Sequence, residues 1–409
     1  VHKPRDLVYD GYSLMLRTFR YPLTPTKAQE VELERQLEYY RTLYNAALEE
    51  RRDAWKLHHK SITAYDQCDS WVVLRNEDEE AQSMSAWTGQ QLFRRLDKAF
   101  AAFFRRCKSG ETPGYPRFKG RDRFRSFDIC VSRHTPIFAN DDASKKAYVA
   151  VPKIGRIRFK RYRSLKGTVK NITVKRENDG KWFVCFQCDL GAAPQKSTPK
   201  TIIGIDLGLN TLVATDTGKL IDNPRFAAKA QAKLAQRQRR LAIKRKGSKS
   251  RKRAKHLVSK SNTHIKNQRK DHAWKTALAL LSQCDAIAFE DLNIMSMLED
   301  KERPRSISDA GWRQLINCIV CKAEEAGKWA IGVDPRMTSQ RCSGCGKIVP
   351  KTLADRTHEC PYCGLMLDRD VNAARNIKVS ALVALAKALG QSVLSEAMCL
   401  MHCESGKAG

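Results

Sequence analysis

The chain contains no run of about eighteen uncharged apolar residues, so we expect no membrane-spanning helix. Its opening residues, VHKPRDLVYDGY, lack the apolar stretch typical of a secretion signal. Acidic residues are few beside basic ones, 44 against 75, which gives a formal net charge of +31. Because 42% of the residues are hydrophobic, the chain can still form packed cores, and a wholly disordered basic tail is excluded.

The excess of positive charge indicates a long polyanionic partner. Charge of this size repels itself unless it is neutralised, and nucleic acid gains binding free energy with each phosphate contact through counterion release. A ribosomal or chromatin binder without chemistry would satisfy the charge equally well. A membrane surface is disfavoured, because no lipidation motif or long amphipathic surface helix concentrates the charge. The 409 residues correspond to about two or three domains.

Fourteen cysteines without a secretion signal indicate a reducing compartment, where thiolates bind metal more often than they form disulfides. We therefore expect a cytoplasmic, nucleoid-associated protein in a prokaryote or a nuclear one in a eukaryote. Two Cys-x2-Cys pairs, each followed by glycine, predict one tetrahedral zinc ion, which is structural because four thiolates leave no open coordination position. The predicted ligands are Cys342, Cys345, Cys360 and Cys363.

Two other cysteine pairs are left out of this zinc site. Cys185 and Cys188 lie in a predicted strand, where residues three apart point to opposite faces. Cys318 and Cys321 lie on a predicted helix and are interpreted as core residues. We interpret His358 as a loop residue and not as a fifth ligand.

The amino-terminal half combines helices with an aromatic and basic segment. Helices are predicted over residues 22–57 and 86–107. After the second helix, aromatic and basic side chains interleave, which suits contact with a nucleic-acid backbone and stacking on bases. A strand with buried aromatics would give a similar pattern. The candidate nucleic-acid-binding residues in this segment are Tyr115, Arg117, Phe118, Lys119, Arg121 and Arg123.

Residues 148–190 alternate between apolar and polar side chains, and the turn at residues 178–180 predicts a β-hairpin. Residues 12–20 also alternate and could add a strand to the same sheet. The helices between these segments therefore predict a small β-domain that is interrupted by a helical insertion.

Residues 225–275 contain nineteen lysines and arginines and one acidic residue, Asp271. Apolar residues at helical spacing on both sides of a basic centre predict two helices with a basic tip that contacts phosphates. A solvated loop or a localisation signal is the alternative interpretation. The candidate contacts are Arg239, Arg240, Lys244, Arg245 and Lys246.

Beyond residue 200, three strands (202–207, 211–215 and 219–221) precede alternating helices and strands, the order of a ribonuclease-H-like α/β core. The later elements are a strand over 285–290, a helix over 308–327, a strand over 328–334 and a helix from about residue 370. Asp206 and Glu290 follow apolar strands, where open α/β sheets place their ligands. Asp370 faces the apolar side of the last helix.

Three converging carboxylates would repel one another. Two carboxylates about 4 Å apart repel by roughly 4 kcal/mol at an effective dielectric constant near 20. Asp206, Glu290 and Asp370 would therefore raise one another's pKa or bind metal, and two Mg²⁺ ions would also polarise a phosphodiester. Each acid taken singly could instead cap a helix or begin a turn. No histidine stands in a sequence context typical of a Ser/His/Asp triad.

Several motifs together resemble the TnpB family of transposon-associated RNA-guided nucleases, relatives of type V CRISPR effectors and of Fanzor proteins. The motifs are GIDLGLNTLVATDTG, AFEDLNI, SISDAGW, TSQRCSGCG, HECPYCG, DRDVNAARNI and, in the amino-terminal half, GYPRFKGRDRFRSF. The resemblance is dense from about residue 200 to 378 and patchy before it. It implies a guide RNA, a double-stranded target DNA and a RuvC-like nuclease in which Asp206, Glu290 and Asp370 bind two Mg²⁺ ions. We expect a monomer.

The resemblance also implies a multidomain α/β and β-barrel architecture. Its expected segments are a wedge β-barrel in residues 1–21 and 129–198, recognition helices in 22–128, a RuvC-like nuclease in 199–334 with the basic hairpin 225–275, a zinc ribbon in 335–367, the last RuvC segment in 368–380 and a tail in 381–409. Two other functions stay open. One is a catalytically silent DNA-binding regulator, and the other is a DNA transposase, although strand transfer commonly uses the order Asp, Asp, Glu.

Overall fold

The computed structural model describes residues 14–131, 146–299, 304–352 and 355–389. The chain forms two compact units, one of Leu14–Gly191 and one that contains the described residues from Ala192 onward. Residues 1–13 of the expected wedge and residues 390–409 of the expected tail lie outside the described ranges. Within those ranges, no helix combines the length and apolarity needed to cross a membrane.

The amino-terminal unit, Leu14–Gly191, joins one four-stranded sheet to a set of helices and a hairpin. Its elements are β1 (Leu14–Pro22), α1 (Lys27–His58), α2 (Ala64–Glu77), α3 (Glu79–Ser83), α4 (Ala86–Lys108), β2 (Ser126–Ile129), β3 (Lys146–Val151), β4 (Gly155–Lys160), β5 (Thr168–Arg176) and β6 (Trp182–Ala192). The sheet order is β1-β6-β5-β2, and β3 and β4 form the separate hairpin.

The predicted strands of this unit are confirmed, and one helix boundary was wrong. β5 and β6 pair antiparallel around the predicted turn, and β1 neighbours β6 in the sheet. The first helix begins at Lys27 and not at residue 22, because β1 extends through Pro22 and the Thr26 hydroxyl caps the helix. The sequence pattern did not predict α2, whose buried Trp71 packs in the same core as α1 and α4.

The carboxy-terminal unit is a mixed α/β fold. Its elements are β7 (Ile202–Asp206), β8 (Thr211–Thr215), β9 (Leu220–Asp222), α5 (Phe226–Ala242), α6 (Lys249–Leu281), β10 (Ala286–Glu290), α7 (Ile294–Glu299), α8 (Pro304–Ala310), α9 (Trp312–Glu325), β11 (Trp329–Val333), β12 (Thr357–Glu359), β13 (Met366–Asp368) and α10 (Arg369–Leu389). The five-stranded sheet has the order β11-β10-β7-β8-β9. β10 is parallel to both β7 and β11, whereas β7-β8 and β8-β9 are antiparallel.

The predicted strands and the last helix of this unit are confirmed, but the helix expected over residues 308–327 is two helices. Gly311 separates α8 from α9 with a φ of 69°, a left-handed conformation that other residues adopt at a cost. The break leaves Trp312 at the start of α9, where its side chain is buried in the core between α9 and the sheet.

α10 lies directly on the sheet, because β7 carries a glycine at the contact. A Cβ atom on Gly204 would lie 2.1 Å from the carbonyl oxygen of Ala374 and 2.9 Å from the amide nitrogen of Lys378. Ile377 and Ala381 of the same helix are fully buried against β10 and β11. This close packing places the first turn of α10 beside the ends of β7 and β10.

Gly204→Ala should destabilise the carboxy-terminal unit, because the added methyl group collides with the backbone of α10. Overpacking of this kind costs about 1–3 kcal/mol, and more where backbone must move. Gly332→Ala in β11 is the matched control, since its Cβ would lie 3.4 Å from the nearest atom, an ordinary contact. Scanning calorimetry of the full chain compares the two variants. Equal melting temperatures would contradict direct packing of α10 on β7.

Candidate active site

Three acidic residues meet at one edge of the five-stranded sheet. Ile205 of β7 pairs with Phe289 of β10 in a parallel register. The next residues on these two strands are Asp206 and Glu290, so the register places the two acids side by side. Asp370 comes from the first turn of α10. All three side chains line one cavity of about 860 Å³. The structure therefore brings together the three predicted acids, although 84 and 80 residues separate them along the chain.

Asp206 carries the most unfavourable charge of this cavity. Burial raises the pKa of its carboxyl well above the usual range, and the neighbouring Glu290 and Asp370 raise it further. The backbone N–H of Leu207 and the charge of Arg369 lower that pKa, but they do not outweigh the burial. An ionised Asp206 is therefore penalised until a positive charge joins the cavity.

Glu290 is also buried, with 9% of its surface exposed. Burial raises the pKa of its carboxyl, while a hydrogen bond donated by the Thr338 hydroxyl lowers it. Asp370 accepts hydrogen bonds from Nε and Nη2 of Arg369, each at 3.3 Å. Thr338 and Arg369 thus hold two of the three carboxylates in place.

The donor set of this cavity fits divalent cations. Carboxylate oxygens are the ligands that Mg²⁺ and similar hard cations prefer, and a cation would offset the charge of the buried Asp206. Among the described residues, only the four predicted zinc cysteines bring three or more ligand atoms within 4.8 Å of one another, so the three carboxylates are spread more widely. A pair of ions about 3.5–4 Å apart can be bound by carboxylates that are spread over such a distance.

Arginines also line the cavity, and the sequence analysis did not single them out. Arg225, Arg356 and Arg369 stand beside the acids, a mixture of charges that suits a phosphate group held next to cations. Arg225 donates to the side-chain oxygen of Asn210 at 3.1 Å. The only signal in the sequence was the position of Arg369 next to Asp370.

Asp309 anchors the base of the basic hairpin to the wall of the same cavity. Its carboxylate accepts hydrogen bonds from the first backbone N–H groups of α5, those of Ala227 and Ala228, and from Arg269 of α6. Burial alone would raise the pKa of Asp309, but these hydrogen bonds and the Arg269 charge lower it. In the sequence, Asp309 stands out only as part of the SISDAGW motif.

The four predicted zinc ligands come together as expected. The Sγ atoms of Cys342 and Cys363 lie 3.6 Å apart, those of Cys345 and Cys360 lie 3.5 Å apart, and all four lie within 4.8 Å of one another. Both pairs use the same tight turn, in which the N–H of the following glycine donates to the carbonyl of the first cysteine at 2.9 Å. The cluster therefore fits a zinc ion.

Two interpretations about neighbouring residues were wrong. His358 does not lie in a loop but in β12, fully buried, with its Nδ1 against the Lys351 ammonium. Cys321 is exposed, so only Cys318 of that pair is a core residue. Cys185 and Cys188 do alternate between the faces of β6, and within the described chain neither pair joins a metal cluster.

The basic stretch forms the predicted helical hairpin of α5 and α6. Its tip, residues 243–248, is held by Arg251, which donates to the carbonyl oxygens of Leu241 and Lys244 at 2.9 and 2.8 Å. The five predicted contact residues are exposed, and among the described residues none of them forms an ion pair: Arg239, Arg240, Lys244, Arg245 and Lys246. These five side chains thus present positive charge with no ion-pair partner among the described residues, while Arg251 has a structural role.

The aromatic and basic segment before β2 divides into a buried and an exposed part. Phe124 and Phe127 are core residues, which fits the alternative interpretation of a buried strand. Tyr115 and Phe118 keep 44% and 45% of their surfaces exposed. Arg117 and Arg123 are exposed as well, whereas Lys119 is half-buried and its backbone is bonded to α1. Arg121 lies 3.7 Å from Glu38.

Three segments match family models. Residues 171–300 match a model described as "Probable transposase", and residues 312–377 match "Cas12f1-like, TNB domain". Residues 15–60 match "Helix-turn-helix domain", although the structure forms one strand and the single long helix α1 there.

Two relatives and a solved structure cover nearly the whole chain. A "Putative RNA-guided DNA endonuclease" of Streptomyces pristinaespiralis is 32% identical over 373 residues, 90% of each chain. The "Putative RNA-guided DNA endonuclease InsQ" of Escherichia coli (strain K12) is 28% identical over 390 residues, 91% of this chain and 94% of the relative. The Cas12f1 chain of a complex with sgRNA and target DNA superposes with a TM-score of 0.57 at 17% identity, covering 86% of this chain and 83% of that one.

Both relatives are named as RNA-guided DNA endonucleases, and the chain shares its fold with Cas12f1. Because a relative with 32% identity aligns with nine-tenths of both chains, this chain belongs to the TnpB family of RNA-guided DNA endonucleases. The resemblance seen in the motifs is thereby confirmed.

Asp206→Asn should raise the melting temperature in magnesium-free buffer at pH 7.5, because it removes a buried charge that faces two others. Since the pKa of Asp206 is raised, this gain appears above the ordinary aspartate pKa and shrinks as the pH falls toward it. Each 1 kcal/mol corresponds to about 2–4 °C for a unit of this size. Added Mg²⁺ should stabilise the parent chain but not the variant.

Asp222→Asn is the control, since Asp222 is exposed. Two results would contradict a cation site in the cavity. One is a melting temperature of the parent chain that Mg²⁺ leaves unchanged, and the other is an equal Mg²⁺-induced shift in the parent and in Asp206→Asn.

Proposed function

We propose that this chain is an RNA-guided DNA endonuclease that hydrolyses target DNA at the cavity of Asp206, Glu290 and Asp370. The observation that carries the proposal is the convergence of these acids, from two strands and a helix, on one cavity with arginines beside them. The relatives named as RNA-guided DNA endonucleases support the same reaction. A guide RNA and a double-stranded target DNA are the partners, and a short motif flanks the target.

In this proposal, the three carboxylates hold two Mg²⁺ ions. Bound there, the ions would polarise the scissile phosphodiester and lower the pKa of the attacking water. Arg225, Arg356 and Arg369 hold the phosphate oxygens and keep the DNA backbone over the acids. Thr338 and Arg369 keep Glu290 and Asp370 pointed into the cavity.

The architecture is proposed to follow the family layout. A RuvC-like core holds the acids, and a structural zinc ion occupies the four-cysteine cluster within an inserted ribbon. In the amino-terminal unit, α1 to α4 lie in sequence between β1 and β2, which belong to one sheet. This order supports a wedge barrel that is split by a helical recognition insertion.

Nucleic-acid contacts are proposed for two surfaces. The first is the hairpin tip, where Lys244, Arg245 and Lys246 are exposed and form no ion pair with any residue that the structure describes. The second is the exposed part of the segment before β2, where Tyr115 and Phe118 keep nearly half of their surfaces exposed and Arg117 and Arg123 are exposed as well. Both surfaces suit binding to a backbone and unpaired bases, while base pairing with the guide reads the target sequence.

Substitution of one acid should abolish cleavage and spare RNA binding. Asp206→Asn, Glu290→Gln and Asp370→Asn each remove a charge that would hold a cation. A loss of about 4 kcal/mol of transition-state stabilisation lowers the cleavage rate about a thousandfold. The measurement uses the chain purified with its copurifying RNA, a DNA library that contains the matching target, and Mg²⁺. Asp222→Asn should cleave like the parent.

The same assay separates the alternatives. A parent chain that binds the target without cutting it is a silent regulator, and joined donor ends in the products identify a transposase. Cleavage that survives Asp206→Asn would remove the cavity from consideration as the nuclease site.

Neutralising the hairpin tip should weaken nucleic-acid binding without changing its sequence preference. Each lost phosphate contact lowers the slope of log K against log salt by about 0.7–0.9, so Lys244, Arg245 and Lys246 changed together to Gln should lower it by about 2–3. Lys275→Gln is the control on the same hairpin, because Lys275 already pairs with Asp271 at 2.7 Å. Filter binding at several salt concentrations gives the slopes. A triple variant with the slope of the control would exclude the tip from binding.

A further inference from the structure

Two buried asparagines of α10 hold the segment that leads into the zinc ribbon. Asn372 is 0% exposed, accepts a hydrogen bond from the backbone N–H of Ser343 at 2.9 Å and donates to the carbonyl of Arg341 at 2.8 Å. Asn376, one helical turn later, donates to the carbonyls of Thr338 and Arg341 at 2.8 and 2.7 Å. Segment 338–343 is therefore bonded to the helix that carries Asp370.

The two ends of segment 338–343 lead to different metal sites. Ser343 directly follows Cys342, the first cysteine of the zinc cluster. Thr338 is buried, and its hydroxyl donates to the Glu290 carboxylate while its own carbonyl is held by Asn376. Among the described residues, this hydroxyl is the one side-chain group that hydrogen-bonds to Glu290.

We propose that Thr338, Asn372 and Asn376 are positioning residues through which the four-cysteine cluster sets the orientation of Glu290 relative to Asp370. With zinc bound, the first cysteine turn is fixed, the asparagines fix the segment on α10, and the Thr338 hydroxyl holds Glu290 toward the cavity. Without zinc, the cysteine end of segment 338–343 loses the constraint that the bound ion would impose on it. This inference rests on the proposed function, because it concerns how the same acid site is assembled.

The coupling is physically reasonable because second-sphere hydrogen bonds orient carboxylates that bind metal. Loss of such a partner typically costs about ten- to a hundredfold in metal affinity or activity. If the ribbon served only to bind nucleic acid, its variants would alter DNA binding and leave the cation dependence of the acid site unchanged. The two roles therefore predict different measurements.

The first test compares Thr338→Val, which removes the hydroxyl at nearly constant shape, with Thr338→Ser, which keeps it. The full chain with its copurifying RNA is assayed for single-turnover cleavage over a range of Mg²⁺ concentrations. Thr338→Val should raise the Mg²⁺ concentration at half-maximal rate about ten- to a hundredfold. Thr338→Ser should match the parent, and zinc content measured by mass spectrometry should stay unchanged in both.

Asn376→Leu should shift the Mg²⁺ dependence in the same direction, because it frees the carbonyl of Thr338. Val379→Ala is the control on α10, since Val379 is exposed. If Asn376→Leu fails to fold, as judged by circular dichroism, the threonine pair and the zinc measurement below still decide the question.

The second test measures cation binding without cleavage. Mn²⁺ binding to the full chain is followed by electron paramagnetic resonance in the parent, in Cys342→Ser, in Thr338→Val and in the double variant. Cys342→Ser should lose zinc and weaken Mn²⁺ binding, Thr338→Val should weaken it with zinc retained, and the double variant should be no weaker than the worse single variant. Cys321→Ser, outside the cluster, should behave like the parent.

Equal Mn²⁺ binding and equal Mg²⁺ dependence in the parent and Thr338→Val would overturn the inference. A double variant whose loss of Mn²⁺ affinity equals the product of the losses in Cys342→Ser and Thr338→Val would overturn it as well. A parent chain that binds Mn²⁺ at the acid site but cleaves no DNA with guide and target present would instead refute the proposed function. The two failures are therefore distinguishable.

Discussion

Mutual repulsion of three carboxylates at a buried sheet edge is the constraint on which the carboxy-terminal unit depends. Burial raises the pKa of the Asp206 carboxyl well above its usual range, and the like charges of Glu290 and Asp370 raise it further. Such an arrangement is stable only where the surrounding backbone holds the acids in place or a cation joins them. In this unit, the surrounding structure holds the acids in place. α10 packs directly on Gly204 of β7, and Thr338 and Arg369 hydrogen-bond to Glu290 and Asp370.

α10 connects the parts of this unit that are distant in sequence. Its first turn supplies Asp370, its residues Asn372 and Asn376 hold segment 338–343, and its apolar face packs on β7, β10 and β11. One helix therefore joins the acid site, the four-cysteine cluster and the sheet. An error in the position of α10 would therefore disturb the acid cavity and the four-cysteine cluster together.

Local sequence patterns predicted most of the regular elements, and they failed where distant contacts decided the outcome. The alternation in β5 and β6 and the Cys-x2-Cys-Gly turns are local signals, so their positions were predictable. The start of α1 was misplaced because Leu23 and Thr24 bond to backbone groups more than 130 residues away. His358 was interpreted as a loop residue because its sequence neighbours do not indicate the short antiparallel strands β12 and β13 in which it is buried.

The sequence by itself determined which residues are candidate metal ligands, since the type and spacing of four cysteines and the placement of three acids after strands and before a helix follow from residue types alone. It also determined the positive charge and the family. Only the tertiary structure decided which other residues surround those acids: Thr338 donates to Glu290, and Asp309 and Arg225 line the same cavity. Their roles arise from backbone paths that meet in space, and no periodicity of the chain encodes a contact between residues dozens of positions apart.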